Sequence, residues 1–264
     1  MKKERTEEVV AMADESIRIY SEHLEFLRHI IGLSTEAKKA FADFNPLLDS
    51  ADFDEMITMH SFNSLLTVSL LDLFVICKYL VAAENDWEKV FFLKQGYLTI
   101  YETIDTYNSY NLNISKIIDI KYSSLKNKYL SASSNLKQFK KEYSYQDHIK
   151  NVRHLIAGHI DKNFINYYDT LLKIKGGDES GAILAFIEIL REIQDISYEM
   201  EQLSKLHAAA ELEKDGMGTT LNEISLNFDK KIQSFKLRVE QKRLELKEQI
   251  TISNISIDAS REGC

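Results

Sequence analysis

Proline occurs once and glycine nine times in the 264 residues of this chain. These two residue types interrupt backbone hydrogen-bond ladders and supply tight turns, so a chain so poor in them has few places to reverse direction and is expected to build long helices. The fold class this predicts is all-α: a multi-helix up-and-down bundle with long N- and C-terminal helices. Hydrophobic residues make up 44% of the chain and charged residues 28%, enough for a core that needs no staples.

The apolar pattern locates the helices. Val9, Met12, Ile17, Tyr20, Leu24, Leu27 and Ile31 recur at intervals of mainly three or four, which predicts an amphipathic helix over 4–33. Asn45-Pro46 and the acidic stretch from Asp49 to Glu55 break that pattern. The run from Leu65 to Ala83 is apolar on nearly all sides and long enough to cross a bilayer. Asp72 and Lys78 sit in its middle, each costing roughly 2.5–3.5 kcal/mol at a bilayer centre, so a central bundle helix is expected there and no membrane. Asn85 or Asp86 suits the cap of a helix from Trp87 to Tyr107, and 108–113 reads as a turn before a polar helix from Ile114 to Tyr143. Ser144 or Asp147 is placed to begin the helix after that.

Gly176-Gly177-Asp178 is a stop-and-restart signal, followed by a helix whose stripe is Ile183, Phe186, Leu190, Ile193, Ser197, Met200 and Leu203. A hinge is expected within Glu213 to Thr220. Beyond it, Leu221, Ile224, Phe228, Ile232, Phe235, Val239, Leu246 and Ile250 line one seam of a charged helix. That seam needs a partner, whether the chain's own bundle, a second copy or another protein. The domain division expected is an N-terminal helical extension (1–60), a helical bundle (61–210), a hinge (211–220) and an amphipathic C-terminal helix with a tail (221–264).

A net charge of -8 argues against coating nucleic acid through bulk charge, although it leaves room for a small basic site. Cys77 and Cys264 form no CxxC pair or disulfide framework, and MKKERTEEVV is not followed by the apolar run of a secretory signal. A cytoplasmic location is the expectation. No glycine-rich phosphate loop is present, and Asp147, His148, His159 and Asp161 lack metal-ligand spacing, so neither cofactor nor metal is expected.

Residues 148–163, HIKNVRHLIAGHIDKN, place His148, His154 and His159 beside Arg153 in an otherwise apolar stretch. The segment Arg153-His154-Leu155-Ile156-Ala157-Gly158-His159-Ile160-Asp161 resembles the R-x4-6-H signature of the HEPN superfamily, with His154 where asparagine is commonest and Gly158 where alanine usually precedes the histidine. The resemblance covers about 60–175 and implies an all-α fold, metal-independent RNA cleavage, and pairing of two protomers around one cleft. It makes Arg153 and His159 the catalytic pair. It also implies a toxin or antiviral defence effector of the abortive-infection type, with RNA as the partner.

The chemistry is coherent by itself. Cleavage by the 2′-hydroxyl needs a group that exchanges protons near neutral pH, which histidine is, and a fixed cation on the phosphate, which a guanidinium fork provides. On an unbroken helix six residues advance about 9 Å and turn about 120° out of alignment. Arg153 and His159 then converge only if Gly158 bends the helix or a second protomer completes the site. His154 is a candidate to orient the motif or hold RNA, Asp161 to orient His159, and His148 to join the cleft. Asp72 is expected either in the site or paired with a buried donor. Tyr143, Tyr145, Tyr167 and Tyr168 flank the motif as base-stacking or packing residues. The competing expectation is a non-catalytic helical module that binds nucleotides or proteins.

Overall fold

The computed structural model describes residues 2–44, 51–154, 165, 167–171 and 180–214. Its elements are α1 (Lys2–Phe44), α2 (Ala51–Ala82), α3 (Asp86–Lys121), a 3-10 turn (Ser123–Leu125), α4 (Lys126–Glu142), a π-helical turn (Tyr145–Ile149), the short α5 (Lys150–Val152) and α6 (Ser180–Lys214). The protein is an all-α multi-helix bundle, with no strand among the described residues. The chain divides into two compact units, 1–203 and 204–264, and the buried residues among those described lie in the first. The seam from Leu221 to Ile250, and the hinge from residue 215 onward, lie outside the described residues.

The inward stripes are those the apolar spacing predicts. Met12, Tyr20 and Leu27 of α1 and Ile183, Phe186, Leu190, Ile193 and Met200 of α6 are buried. Between them, α2 contributes Phe62, Leu66, Leu70 and Leu73. Its stretch Phe53–Ala82 is long and apolar enough to cross a membrane. In the bundle its inward face is not purely apolar, because Asn63 and Thr67 are fully buried. Asp72 lies exposed on the opposite face beside Val68 and Val75. Partial burial nevertheless pushes its carboxyl above the usual range.

Asn85 caps α3: its side chain accepts from the backbone N–H groups of Trp87 and Glu88, both at 3.0 Å, while Glu88 reaches back to the Glu84 N–H at 2.7 Å. The expected turn at 108–113 does not form, and α3 continues to Lys121. The asparagines there spend their polar groups elsewhere. Asn111 accepts from the Tyr129 hydroxyl at 2.7 Å, and that hydroxyl in turn accepts from Tyr107 at 3.2 Å. The apolar register also runs through, since Tyr107, Ile114, Ile117 and Ile118 are all buried. The chain breaks instead at Tyr122, before the two serines of the 3-10 turn.

Where α3 meets α6 the helices approach closely. A Cβ on Gly96 would lie 2.4 Å from Ile183 Cδ1 and 2.9 Å from its Cγ1. Glycine is needed here for clearance rather than for backbone freedom.

Candidate functional site

The chain after α4 turns through Ser144, whose φ of 47° places a non-glycine residue in the left-handed region. Ser144 does begin the next helical segment, but through its carbonyl rather than its side chain: it accepts from the N–H groups of Asp147 at 3.1 Å and His148 at 2.7 Å. The segment is π-helical over 145–149 and again at Arg153 and His154. Such underwound turns shift the faces of neighbouring side chains and are frequent at functional sites.

The underwound turn lays its side chains on one stretch of α3. His148 meets the Tyr97 ring edge-on with centroids 5.2 Å apart, and the Tyr145 ring stacks on Tyr101 at 6.0 Å. His154 meets Tyr101 edge-on at 5.7 Å. The Arg153 guanidinium lies 5.4 Å from the Tyr101 ring centroid, within cation–π range. Tyr97 and Tyr101 are one turn apart on α3, which is why residues from both ends of the π-helical segment find an aromatic partner.

Two polar contacts fix the guanidinium. Arg153 Nε donates to Glu102 Oε1 at 3.1 Å, and Arg153 Nη1 lies 3.3 Å from His154 Nδ1. A guanidinium can only donate, so His154 Nδ1 is the accepting side of this contact. Arg153 remains 34% exposed, enough to meet a solvent-borne anion. Burial, with Tyr101, Asp105 and Glu102 nearby, pushes the Tyr145 phenol up to about 12. Tyr145 itself is buried, so it packs and is not available to stack on a base. Tyr143 packs on Phe139 at 4.9 Å. Lys94 Nζ donates to the Tyr167 hydroxyl at 3.3 Å, extending the same face of α3, and Tyr168 is exposed.

Of the five predicted site residues, the structure thus gathers Arg153, His154 and His148 against α3. His159 and Asp161 lie outside the described residues. No group of three or more His, Cys, Asp or Glu able to hold a metal ion is found among the described residues. No known family model matches the chain, and no curated protein and no solved structure does either.

A second polar constellation, which sequence reasoning missed, lies inside the bundle where α1, α2 and α6 meet. Glu201 of α6, 5% exposed, accepts from Asn63 Nδ2 of α2 at 2.9 Å. Gln194 Nε2 reaches Asn63 Oδ1 at 3.4 Å and Thr67 Oγ1 at 3.0 Å. Thr67 donates to the Asn63 carbonyl at 2.8 Å. At the far end His23 Nδ1 of α1 stands 3.2 Å from the Tyr198 hydroxyl and 3.3 Å from Thr67 Oγ1. His60 Nδ1 lies 3.3 Å from Glu201 Oε1, within ion-pair reach.

Burial pushes the Glu201 carboxyl up, but His60 and the Asn63 amide outweigh burial and hold it below the usual carboxylate range. Burial lowers His23 to about 4, with Glu201 opposing that shift and His60 adding to it. The signal was available in the sequence: His60, Asn63 and Thr67 on one helix and Gln194, Tyr198 and Glu201 on another are polar ladders at helical spacing inside apolar runs.

Proposed function

We propose that the chain is a metal-independent endoribonuclease of the HEPN type, acting in the cytoplasm as a toxin or antiviral defence effector. Arg153 neutralises the scissile phosphate as its charge grows. His159 takes the 2′-hydroxyl proton or supplies one to the departing 5′-oxygen, leaving a 2′,3′-cyclic phosphate. His154 holds the guanidinium in position, Asp161 orients His159, and His148 packs at the edge of the cleft. Two protomers face each other across that cleft, and the seam from Leu221 to Ile250 takes a protein partner. The observation that supports this reading is the half-buried guanidinium of Arg153, laid on Tyr101 and in contact with His154 Nδ1.

One contact favours the alternative, a non-catalytic helical module that binds nucleotides or proteins: the Arg153–Glu102 ion pair already satisfies part of the guanidinium. Incubating the purified chain with total RNA in chelator separates the two. The enzyme reading expects cleavage that falls by about 10²-fold or more in both Arg153→Ala and His159→Ala. Wild-type inactivity, or variants as active as wild type, leaves the binding module.

A further inference from the structure

The buried polar constellation carries an inference that does not depend on the ribonuclease reading. Its hydrogen bonds run in one direction because one member is a carboxylate. An ionised Glu201 can only accept, so the Asn63 amide must present its NH₂ to it and its oxygen to Gln194. Gln194 then gives its NH₂ to Thr67, whose own proton goes to the Asn63 carbonyl. On α1, His23 Nδ1 lies within hydrogen-bond distance of both the Tyr198 hydroxyl of α6, which burial holds protonated, and Thr67 Oγ1 of α2, so one imidazole ties the three helices together. The interior residues are at most 5% exposed, whereas His23 and His60 are only partly buried.

We propose that this constellation is an acid-released latch: protonating His23 puts a charge on the imidazole that bridges the three helices, within a largely buried cluster, and frees α1 from α2 and α6. Glu201 from α6 and His60 from α2 are the charges acting on His23. Tyr198 of α6 faces it directly, while Asp195 and Arg191 of α6 act one turn away on Tyr20 of α1. Burial outweighs the attraction of Glu201 for a charge on His23, so protonation is costly while the helices are packed together.

The sign follows from linkage. A histidine at about 4 when latched and near 6.5 when released binds more protons in the released state. The latch is therefore fully closed above pH 6.5 and weakens as pH falls toward 4. Between pH 7.5 and pH 5 these two values give about a 30-fold rise in opening.

Hydrogen exchange on the full chain reads this opening, once corrected for the intrinsic pH dependence of exchange. Amides of residues 16–27 should exchange about 30-fold faster at pH 5 than at pH 7.5 relative to those of α4, and His23→Gln should remove the difference. Equal acceleration in α4, none in wild type, or an undiminished effect in the variant overturns the latch. The wild-type imidazole signal in NMR needs no variant: a His23 resonance still unmoved at pH 6 supports the proposal, and an ordinary midpoint near 6.5 refutes it.

Discussion

The bundle holds two clusters that use the same kinds of side chain to opposite ends. On the outer side of α3, Arg153, His154 and Glu102 sit on Tyr101, with Arg153 34% and Glu102 51% exposed. Between α1, α2 and α6, the Glu201 and His60 side chains are 4% and 14% exposed, inside a directed chain of amide and hydroxyl groups. Water competes for every contact in the first cluster and for almost none in the second. Chemistry that must meet a substrate belongs to the first. The second is suited to holding helices together and to responding when its charge changes.

The largest difference should appear when one carboxylate is removed from each cluster. Glu201→Ala strips Asn63 Nδ2 of its acceptor and removes the carboxylate beside His60 Nδ1, which is expected to lower stability by about 3–5 kcal/mol in urea unfolding. Glu102→Ala breaks an exposed ion pair and should change stability by no more than about 1 kcal/mol. Comparable losses at the two positions would erase the distinction between the clusters.

The seam behind the first cluster gives an intermediate effect. Gly96 backs onto Ile183 one residue before Tyr97, the ring on which His148 packs. Gly96→Ala forces Ile183 to shift, because both Cδ1 and Cγ1 would be too close, and the expected loss is about 1–3 kcal/mol with a matching fall in the denaturation midpoint. An unchanged midpoint would mean that α6 yields freely at this contact.

How far these clusters could be read from sequence depends on what each residue's partner is. The apolar stripes of α1 and α6 were legible because burial follows helical spacing, and the Asn85 cap because it is a local contact. The boundary at 108–113 was misread because Asn111 is committed to Tyr129, a partner outside its own helix. Crowding of cations marked His148, Arg153 and His154, but the π-helical geometry that sets His148 on Tyr97 and the other two on Tyr101 leaves no periodic trace. Asn63 and Thr67 were overlooked because an apolar window averages them away. Their partners Gln194 and Glu201 lie more than 120 residues further along the chain.

The smallest effect tests how the outer cluster is held. If Arg153 is positioned mainly by Tyr101 and His154, its ion pair with Glu102 adds little, and a double-mutant cycle with Arg153→Ala and Glu102→Ala should return a coupling of about 0.2–1 kcal/mol that fades in high salt. A weak coupling is what a phosphate-binding guanidinium needs, since an incoming anion must displace the carboxylate at small cost. A coupling several times larger, insensitive to salt, would mean that Glu102 owns the guanidinium. The outer cluster would then be a structural pair like the inner one, and the ribonuclease reading would lose its main support.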